Sequence, residues 1–414
     1  MKSIRAYRFR IYPDAKRQEG IDMQMRLCKE LYNKLLEMTK EKYKDDKSFR
    51  INRTSLNNTM KYVINRDRDF LKIYSQTRQN VFDRLLRAYA NFFRRLKEKR
   101  AGKRIKVGFP RFKSIDKHHS VVYPQDNGAF SIEKNRLRIS KIGTMRIAIH
   151  RPMEGTIKSM TIKRNAGKYH VIFTTEREIE VQRIKDTNPV GIDVGLTSFI
   201  ALSDGRKVEK PKFFNRRKRR IAIWQRRIAR KRRGSRNRER AKLKLQEEFE
   251  YITNQSDDFA HKLSNTLIKS GYTSFAVERL DIRSMVKNHN LAQSIHNASW
   301  NRFIQTISYK AESAGLGLYF VPSKDSTQEC SACGHIKRDE ERIRLSMREY
   351  NCSACGLSMD RDLNASRVIL KRATAGHAGS HAFGDGVRPQ EKEATADELG
   401  TYSTIDNRGG SPHL

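Results

Sequence analysis

Val190-Gly191-Ile192-Asp193-Val194-Gly195 reads as a buried strand that an acid interrupts between two glycines. Asp193 is therefore either a turn aspartate or a carboxylate held at a strand end for chemistry. Two other places in the chain repeat the pattern. Glu278 ends the apolar run Ser274-Phe-Ala-Val-Glu-Arg-Leu280, where an ordinary strand-end surface charge would also sit. Asp360-Arg-Asp362-Leu-Asn-Ala365 opens a helical stretch, where acids also serve as N-caps and complement the helix dipole.

Taken together, these acids suggest more than three local accidents. They are spaced 85 and 84 residues apart, and two strand-borne carboxylates plus one at a helix start can converge on one edge of a mixed sheet. Acids are scarce here, since 86 Lys and Arg stand against 46 Asp and Glu, a formal net charge of +40. A carboxylate cluster in such a chain binds Mg²⁺ or Mn²⁺ through oxygen. Two such ions activate water and stabilise the leaving oxygen in phosphodiester hydrolysis. No Ser-His-Asp or Cys-His arrangement suggests itself, and no Gly-rich phosphate loop precedes a helix.

The charge points to a polyanionic partner, because a surplus this large repels itself unless phosphates neutralise it. It peaks in 206–244, with 20 Lys or Arg against only Glu209 and Glu239. Ile221, Trp224 and Ile228 share a helical face there, Gly234-Ser235 breaks the helix, and a second is expected over about 238–268. We read this as a phosphate-facing helix pair, with Arg216, Arg217, Lys218, Arg219, Arg220, Arg226, Arg227, Arg230, Lys231, Arg232 and Arg233 as its nucleic-acid-binding residues. No apolar stretch reaches membrane-spanning length and no secretory signal opens the chain, so the expectation is a cytoplasmic protein.

Cysteine usage agrees. Cys330-Ser-Ala-Cys333-Gly and Cys352-Ser-Ala-Cys355-Gly are near-copies, each a knuckle supplying two thiolates, with a Gly for the left-handed turn. Four thiolates make a closed tetrahedral shell for structural Zn²⁺. The fifth, Cys28, lies in an apolar helical stretch and reads as a buried thiol.

Elsewhere, residues 4–11 alternate as a strand. Helices are expected over 17–40, 57–65 and 76–99, the last with Ser75 as N-cap. Strands are expected over 107–112, 129–132, 137–139, 145–149, 159–163 and 169–174, which would make a small basic β-barrel with the first strand and carry the helices as an insertion. Residues 186–189 look like a linker. Strands over 190–194 and 198–202 follow, with a turn at Asp204-Gly205. Further elements are a strand at 272–277, a helix at 299–314, a strand at 317–321 and a helix at 363–371. Residues 373–414, rich in glycine and without periodicity, read as a disordered tail.

The ordered set Gly191-Ile-Asp-Val-Gly195, Val277-Glu-Arg-Leu280 followed by Met285, the two Cys-x-x-Cys pairs and Asp360-Arg-Asp-Leu-Asn-Ala365 resembles the OrfB/TnpB family of insertion-sequence proteins, relatives of type V CRISPR effectors. Lys106-Val-Gly-Phe-Pro-Arg-Phe112 and the basic helix pair match in place, and the likeness spans residues 1–372. It implies a multidomain α/β protein: an RNase H-like (RuvC) nuclease domain with an inserted zinc ribbon, plus an N-terminal β-barrel with a helical insertion. The implied boundaries are 1–12 and 106–186 for the barrel, 13–105 for the helical recognition module, 187–324 and 358–372 for the nuclease domain, 325–357 for the ribbon and 373–414 for the tail. The resemblance also implies Asp193, Glu278 and Asp362 as catalytic, Mg²⁺- or Mn²⁺-binding acids, with Asp360 assisting or only capping. Its partners would be a guide RNA from the element's end and double-stranded target DNA, in the nucleoid of a prokaryotic cell. The alternatives are a nuclease-inactive RNA-guided DNA-binding regulator, a conventional transposase, and a zinc-ribbon RNA-binding protein without catalysis.

Overall fold

A computed structural model describes residues 2–46, 48–114, 119–125, 128–178, 185–195, 197–280, 299–344 and 346–375. They fall into two compact units, 2–178 and 185–375.

The first unit begins with β1 (Lys2–Tyr12), whose period-2 alternation buries Tyr7, Phe9 and Ile11 and turns Arg8 and Arg10 outward. Among the described residues, three α-helices and a short 3-10 helix (Arg68–Lys72) follow before the next strand. Asp14 caps α1 (Ala15–Asp45), and an Asn52–Ser55 capping box starts α2 (Arg53–Arg66). In α3 (Ser75–Arg100), Ser75 is already helical and Tyr74 occupies the cap position without a side-chain hydrogen bond, so the expected serine cap is absent. Cys28 is buried on α1, and burial pushes its thiol up to about 12.

The strands β2 (Ser120–Tyr123), β3 (Phe130–Glu133), β4 (Arg136–Ile139), β5 (Gly143–Ala148), β6 (Thr156–Asn165) and β7 (Lys168–Glu178) join β1 in one antiparallel sheet, in the order β2-β6-β7-β1-β5-β4-β3. The expected barrel is thus an open sheet: among the described residues, its end strands β2 and β3 do not pair. The inserted helices remove the need for closure. Ile21, Met25, Leu31, Leu85 and Tyr89 share one core with Phe9, Val171 and Phe173, so helix faces cover the apolar side of the sheet. The strand expected at 107–112 is also not formed. Pro110 lacks the N–H a ladder requires, and Phe109 instead packs edge-on to Tyr89 and Phe92, at centroid distances of 5.4 and 4.9 Å. β2 is a further strand beyond those expected, although Val121, Val122 and Tyr123 are all strong strand formers.

The second unit is built on a five-stranded mixed sheet in the order β10-β9-β8-β11-β12. β8 (Pro189–Val194), β9 (Ser198–Leu202) and β10 (Lys207–Glu209) run antiparallel, while β11 (Ser274–Arg279) lies parallel to β8 and to β12 (Gly317–Pro322). The Asp204-Gly205 turn leads from β9 into β10, a short strand that sequence did not announce. Residues 186–189 are no loose linker. Asp186 accepts hydrogen bonds from the hydroxyls of Thr273 and Ser274 at 2.8 and 2.9 Å, and Pro189 begins β8.

Among the described residues, the α-helices of the unit are α4 (Phe213–Ala229), α5 (Arg236–Ile268), α6 (Trp300–Ser313) and α7 (Arg361–Ala375). Strand alternation sorts the sheet's two faces. Val190, Ile192, Phe275 and Val277 pack with Leu263 and Leu267 of α5 and with Phe303 and Ile307 of α6. Gly191, Ala276 and Val321 meet α7 instead, through Ser366, Leu370, Ile369 and Ala373. Gly191 makes this contact possible: a Cβ there would lie 2.0 Å from the Ser366 carbonyl oxygen and 3.0 Å from Leu370 Cβ. Gly191→Ala must lift α7 from the sheet, and overpacking of this kind costs about 1–3 kcal/mol. The melting temperature of the variant is expected to fall by several degrees; an unchanged melt would refute the contact.

Residues 373–375 end α7, and 376–414 lie outside the described residues, as does Met285. Among the described residues no helix is long and apolar enough to cross a membrane.

Candidate metal centres

Between β12 and α7 the chain forms the two cysteine knuckles. Each closes in the same way. The amides of Gly334 and Gly356 donate to the carbonyls of Cys330 and Cys352 at 3.0 Å, and the amides of Cys330 and Cys352 donate to those of His335 and Leu357 at 2.8 Å. Gly334 and Gly356 adopt φ of +80° and +74°, which the turn requires and side-chain-bearing residues resist. The four sulfurs lie within 4.8 Å of one another, with Cys330–Cys355 at 3.7 Å and Cys333–Cys352 at 3.6 Å. Tetrahedral zinc with bonds near 2.3 Å demands sulfur separations of roughly 3.8 Å. The donor set and its spacing fit Zn²⁺.

Between the knuckles the segment is mostly exposed, but Ile343 is buried and Gln328 holds it through both its backbone groups, at 2.8 and 3.1 Å. With Cys330, Tyr350, Cys352 and Leu357 it forms the ribbon's small core. The strands β13 (Glu349–Asn351) and β14 (Ser358–Asp360) pair and lead directly into α7.

The acids meet beside this ribbon. β8 and β11 pair as Ser274↔Pro189 through Val277↔Ile192, a constant offset of 85 residues. One step further along that register, Glu278 stands opposite Asp193. Both are buried, at 9% and 8% exposure. Burial pushes Asp193 up to about 8, with the negative charges of Glu278 and Asp362 adding and Arg361 opposing. Burial also raises Glu278, against a hydrogen bond from Ser326 and the charge of Arg372. Glu278 Oε1 is buried without a hydrogen-bond partner, a costly condition that a cation would relieve.

Asp362 enters from the first turn of α7, where Arg361 grips its Oδ1 at 3.0 and 3.2 Å. Gly195 lies beside it: a Cβ there would stand at ordinary contact distance, 3.8 Å, from Asp362 Oδ2, but only 2.9 Å from the Ser198 carbonyl oxygen. Asp360 is occupied otherwise. Its Oδ1 accepts the amides of Asp362 and Leu363 at 3.0 and 3.1 Å, and its Oδ2 pairs with Lys207 at 2.6 Å, so it caps the helix. The acid set is more open than the thiolates. Among the described residues, only the four cysteines form a group of three or more whose candidate ligand atoms all lie within 4.8 Å of one another.

The basic residues on α4 and its connection to α5 divide by environment. Arg216, Lys218, Arg219, Arg220, Arg226, Arg227, Arg230, Arg232 and Arg233 are exposed, while Lys231 is partly covered. Arg217 is half-buried: it pairs with buried Glu248 on α5 at 3.3 Å and lies over the Tyr251 ring at 3.8 Å. It stitches the helix pair together, and Arg220 shares the same glutamate at 2.8 Å.

Two residues with evident roles were not singled out from sequence, Arg361 and Asn364. Both sit inside a motif read for its acids. Asn364 could have been noticed as a polar residue on the helical stripe of Val368 and Ile369, where a buried amide needs partners.

Three family profiles match the chain: a "Helix-turn-helix domain" over residues 1–48, a "Probable transposase" over 171–289 and a "Cas12f1-like, TNB domain" over 300–369. The first describes a stretch that here is one strand and one long helix. Among curated proteins, a "Putative RNA-guided DNA endonuclease" of Streptomyces pristinaespiralis is 33% identical over 94% of this chain and 93% of its own. The "Putative RNA-guided DNA endonuclease InsQ" of Escherichia coli (strain K12) is 27% identical over 91% of this chain and 94% of its own. Among solved structures, the mini-RNA-guided endonuclease CRISPR-Cas_phi3 aligns over 90% of this chain and 92% of its own at 10% identity, with a TM-score of 0.40.

Proposed function

We propose, from the premise that this chain belongs to the OrfB/TnpB family, that it is an RNA-guided DNA endonuclease of the TnpB type whose cleavage depends on a divalent metal. The observation that carries this reading is the meeting of Asp193, Glu278 and Asp362 beside the sheet. Strand order β10-β9-β8-β11-β12, with an antiparallel trio followed by two parallel strands, supports an RNase H-like nuclease domain.

In this reading Asp193, Glu278 and Asp362 hold Mg²⁺ or Mn²⁺, and the unpartnered Glu278 Oε1 is an oxygen ready for that role. When bound, such ions activate water and stabilise the departing oxygen of the phosphodiester. The chain's own part is to hold the carboxylates in a site that excludes bulk water and to favour the proton on Asp193, which would ionise where it served as a ligand. Exposed cations on and after α4 neutralise phosphates of the guide RNA and target DNA. All three acid positions are filled, which favours a cutting enzyme over a binding-only regulator.

The test is to purify the protein, sequence its co-purifying RNA and offer plasmid DNA matching the variable end of that RNA, with MgCl₂. Cleavage that requires both the RNA and the match is the expected result. Strand transfer, or cutting indifferent to the RNA, would sink the proposal; tight guided binding without cutting would establish the regulator instead.

A further inference from the structure

We infer that Asn364 is a positioning residue that ties the zinc ribbon to the acid cluster; the inference rests on the reading of Asp193, Glu278 and Asp362 as metal-holding acids. Asn364 is fully buried on α7. Its Nδ2 donates to the carbonyl of Glu329 at 2.7 Å and its Oδ1 accepts the amide of Ser331 at 2.9 Å. Those residues flank Cys330, so one side-chain amide grips the backbone on both sides of a knuckle thiolate.

A side chain offering one donor and one acceptor from the same short group is needed for this, and asparagine supplies it. Aspartate keeps the acceptor and loses the donor; alanine loses both. Asn364 and Asp362 are two residues apart, about 200° around the helix, so one addresses the ribbon while the other addresses the acids. A first helical turn has few intrahelical hydrogen bonds of its own and frays unless tethered. Here the ribbon supplies tethers. The Arg361 guanidinium, which grips Asp362, also donates to the Met347 carbonyl at 3.1 Å, and the Arg361 amide donates to Arg348 at 2.8 Å. Towards the other end of α7, Arg372 pairs with Glu329 at 2.6 Å. Asn364 thus fixes the rotation of α7 against the knuckle, and with it the direction in which Asp362 presents its carboxylate.

Loss of a hydrogen bond made directly to a metal ligand typically costs about 10–100-fold in metal affinity or activity; Asn364 acts one step further out, so the lower end is expected. The experiment compares the full chain with its bound RNA, wild type, Asn364→Ala, Asn364→Asp and Asp193→Ala. Zinc content, melting temperature, Mn²⁺ affinity by electron paramagnetic resonance and cleavage rate are measured for each. For both Asn364 variants the expected result is wild-type zinc content, Mn²⁺ binding weakened about 10-fold or more, and cleavage reduced in parallel. Asn364→Asp serves where the alanine variant loses the fold. Wild-type Mn²⁺ affinity in a folded, zinc-loaded Asn364 variant would overturn the inference. So would loss of zinc and a collapsed melt in both variants, since the role would then be structural only. Failure of the underlying reading looks different: Asp193→Ala would bind Mn²⁺ as wild type does.

Discussion

Asp193→Asn is expected to reduce guided DNA cleavage by roughly three orders of magnitude or more while leaving RNA binding intact. The amide keeps the size of the side chain but cannot supply an anionic ligand beside Glu278 and Asp362. The same substitution should stabilise the protein in the absence of added magnesium. Asp193 titrates near 3.8 when unperturbed and at about 8 in the fold. As pH rises between these values the unfolded chain gives up a proton that the folded chain retains, so wild-type stability falls across that window and levels off above about 8. An uncharged amide carries no such penalty. The variant should melt above wild type at pH 8, and the difference should vanish near pH 4. Added Mg²⁺ should narrow it from the other side, by binding wild type alone. Full cleavage by the variant would remove Asp193 from the site, and equal melts at pH 8 would refute its buried, protonated state.

Cys352→Ser should cost the ribbon its zinc and its structure. Zinc binding contributes on the order of 10 kcal/mol in small metal-folded peptides, and the apolar core here consists of Ile343, Tyr350 and Leu357 beside two of the cysteines themselves. So small a core does not hold a fold without its staple. The expected result is loss of bound zinc and a separate low-temperature unfolding transition, with the five-stranded sheet retained. Cleavage should fall as well, since α7 donates hydrogen bonds to the ribbon carbonyls of Glu329, Met347 and Arg348 and accepts one from the Ser331 amide. Wild-type zinc content and a single normal melt would refute the structural role.

These two experiments probe features of different legibility. The cysteine knuckles could be read directly, because ligand type, spacing and the following glycine are local and repeat themselves. The strand and helix carrying each acid could also be read, as could the helix pair of α4 and α5. Only the surroundings of each acid belong to the fold. Asp360 caps the helix through its bonds to the amides of Asp362 and Leu363, while the negative charge of Asp362 acts on Asp193. The barrel expected from the short strands is an open sheet, because closure depends on what covers the apolar face, and inserted helices share one core with it. Phe109 belongs to an aromatic cluster that no strand pattern could announce.

The chain by itself determined which residue types are present to do chemistry: four thiolates in two knuckles, a few acids in a field of cations, and the apolar periods that set strands and helices. Each of those follows from neighbours within a turn or a knuckle. Tertiary structure decided everything that depends on distant residues sharing space. The 85-residue interval between Asp193 and Glu278 became meaningful only as the register of β8 against β11. Arg217, one cation among many in sequence, became a stitch to Glu248. Asn364 became a clamp because its two partners flank Cys330, more than thirty residues away along the chain. Spacing can propose such meetings, but only packing decides them, since hydrogen bonds and burial act at a few ångströms whatever the distance along the sequence.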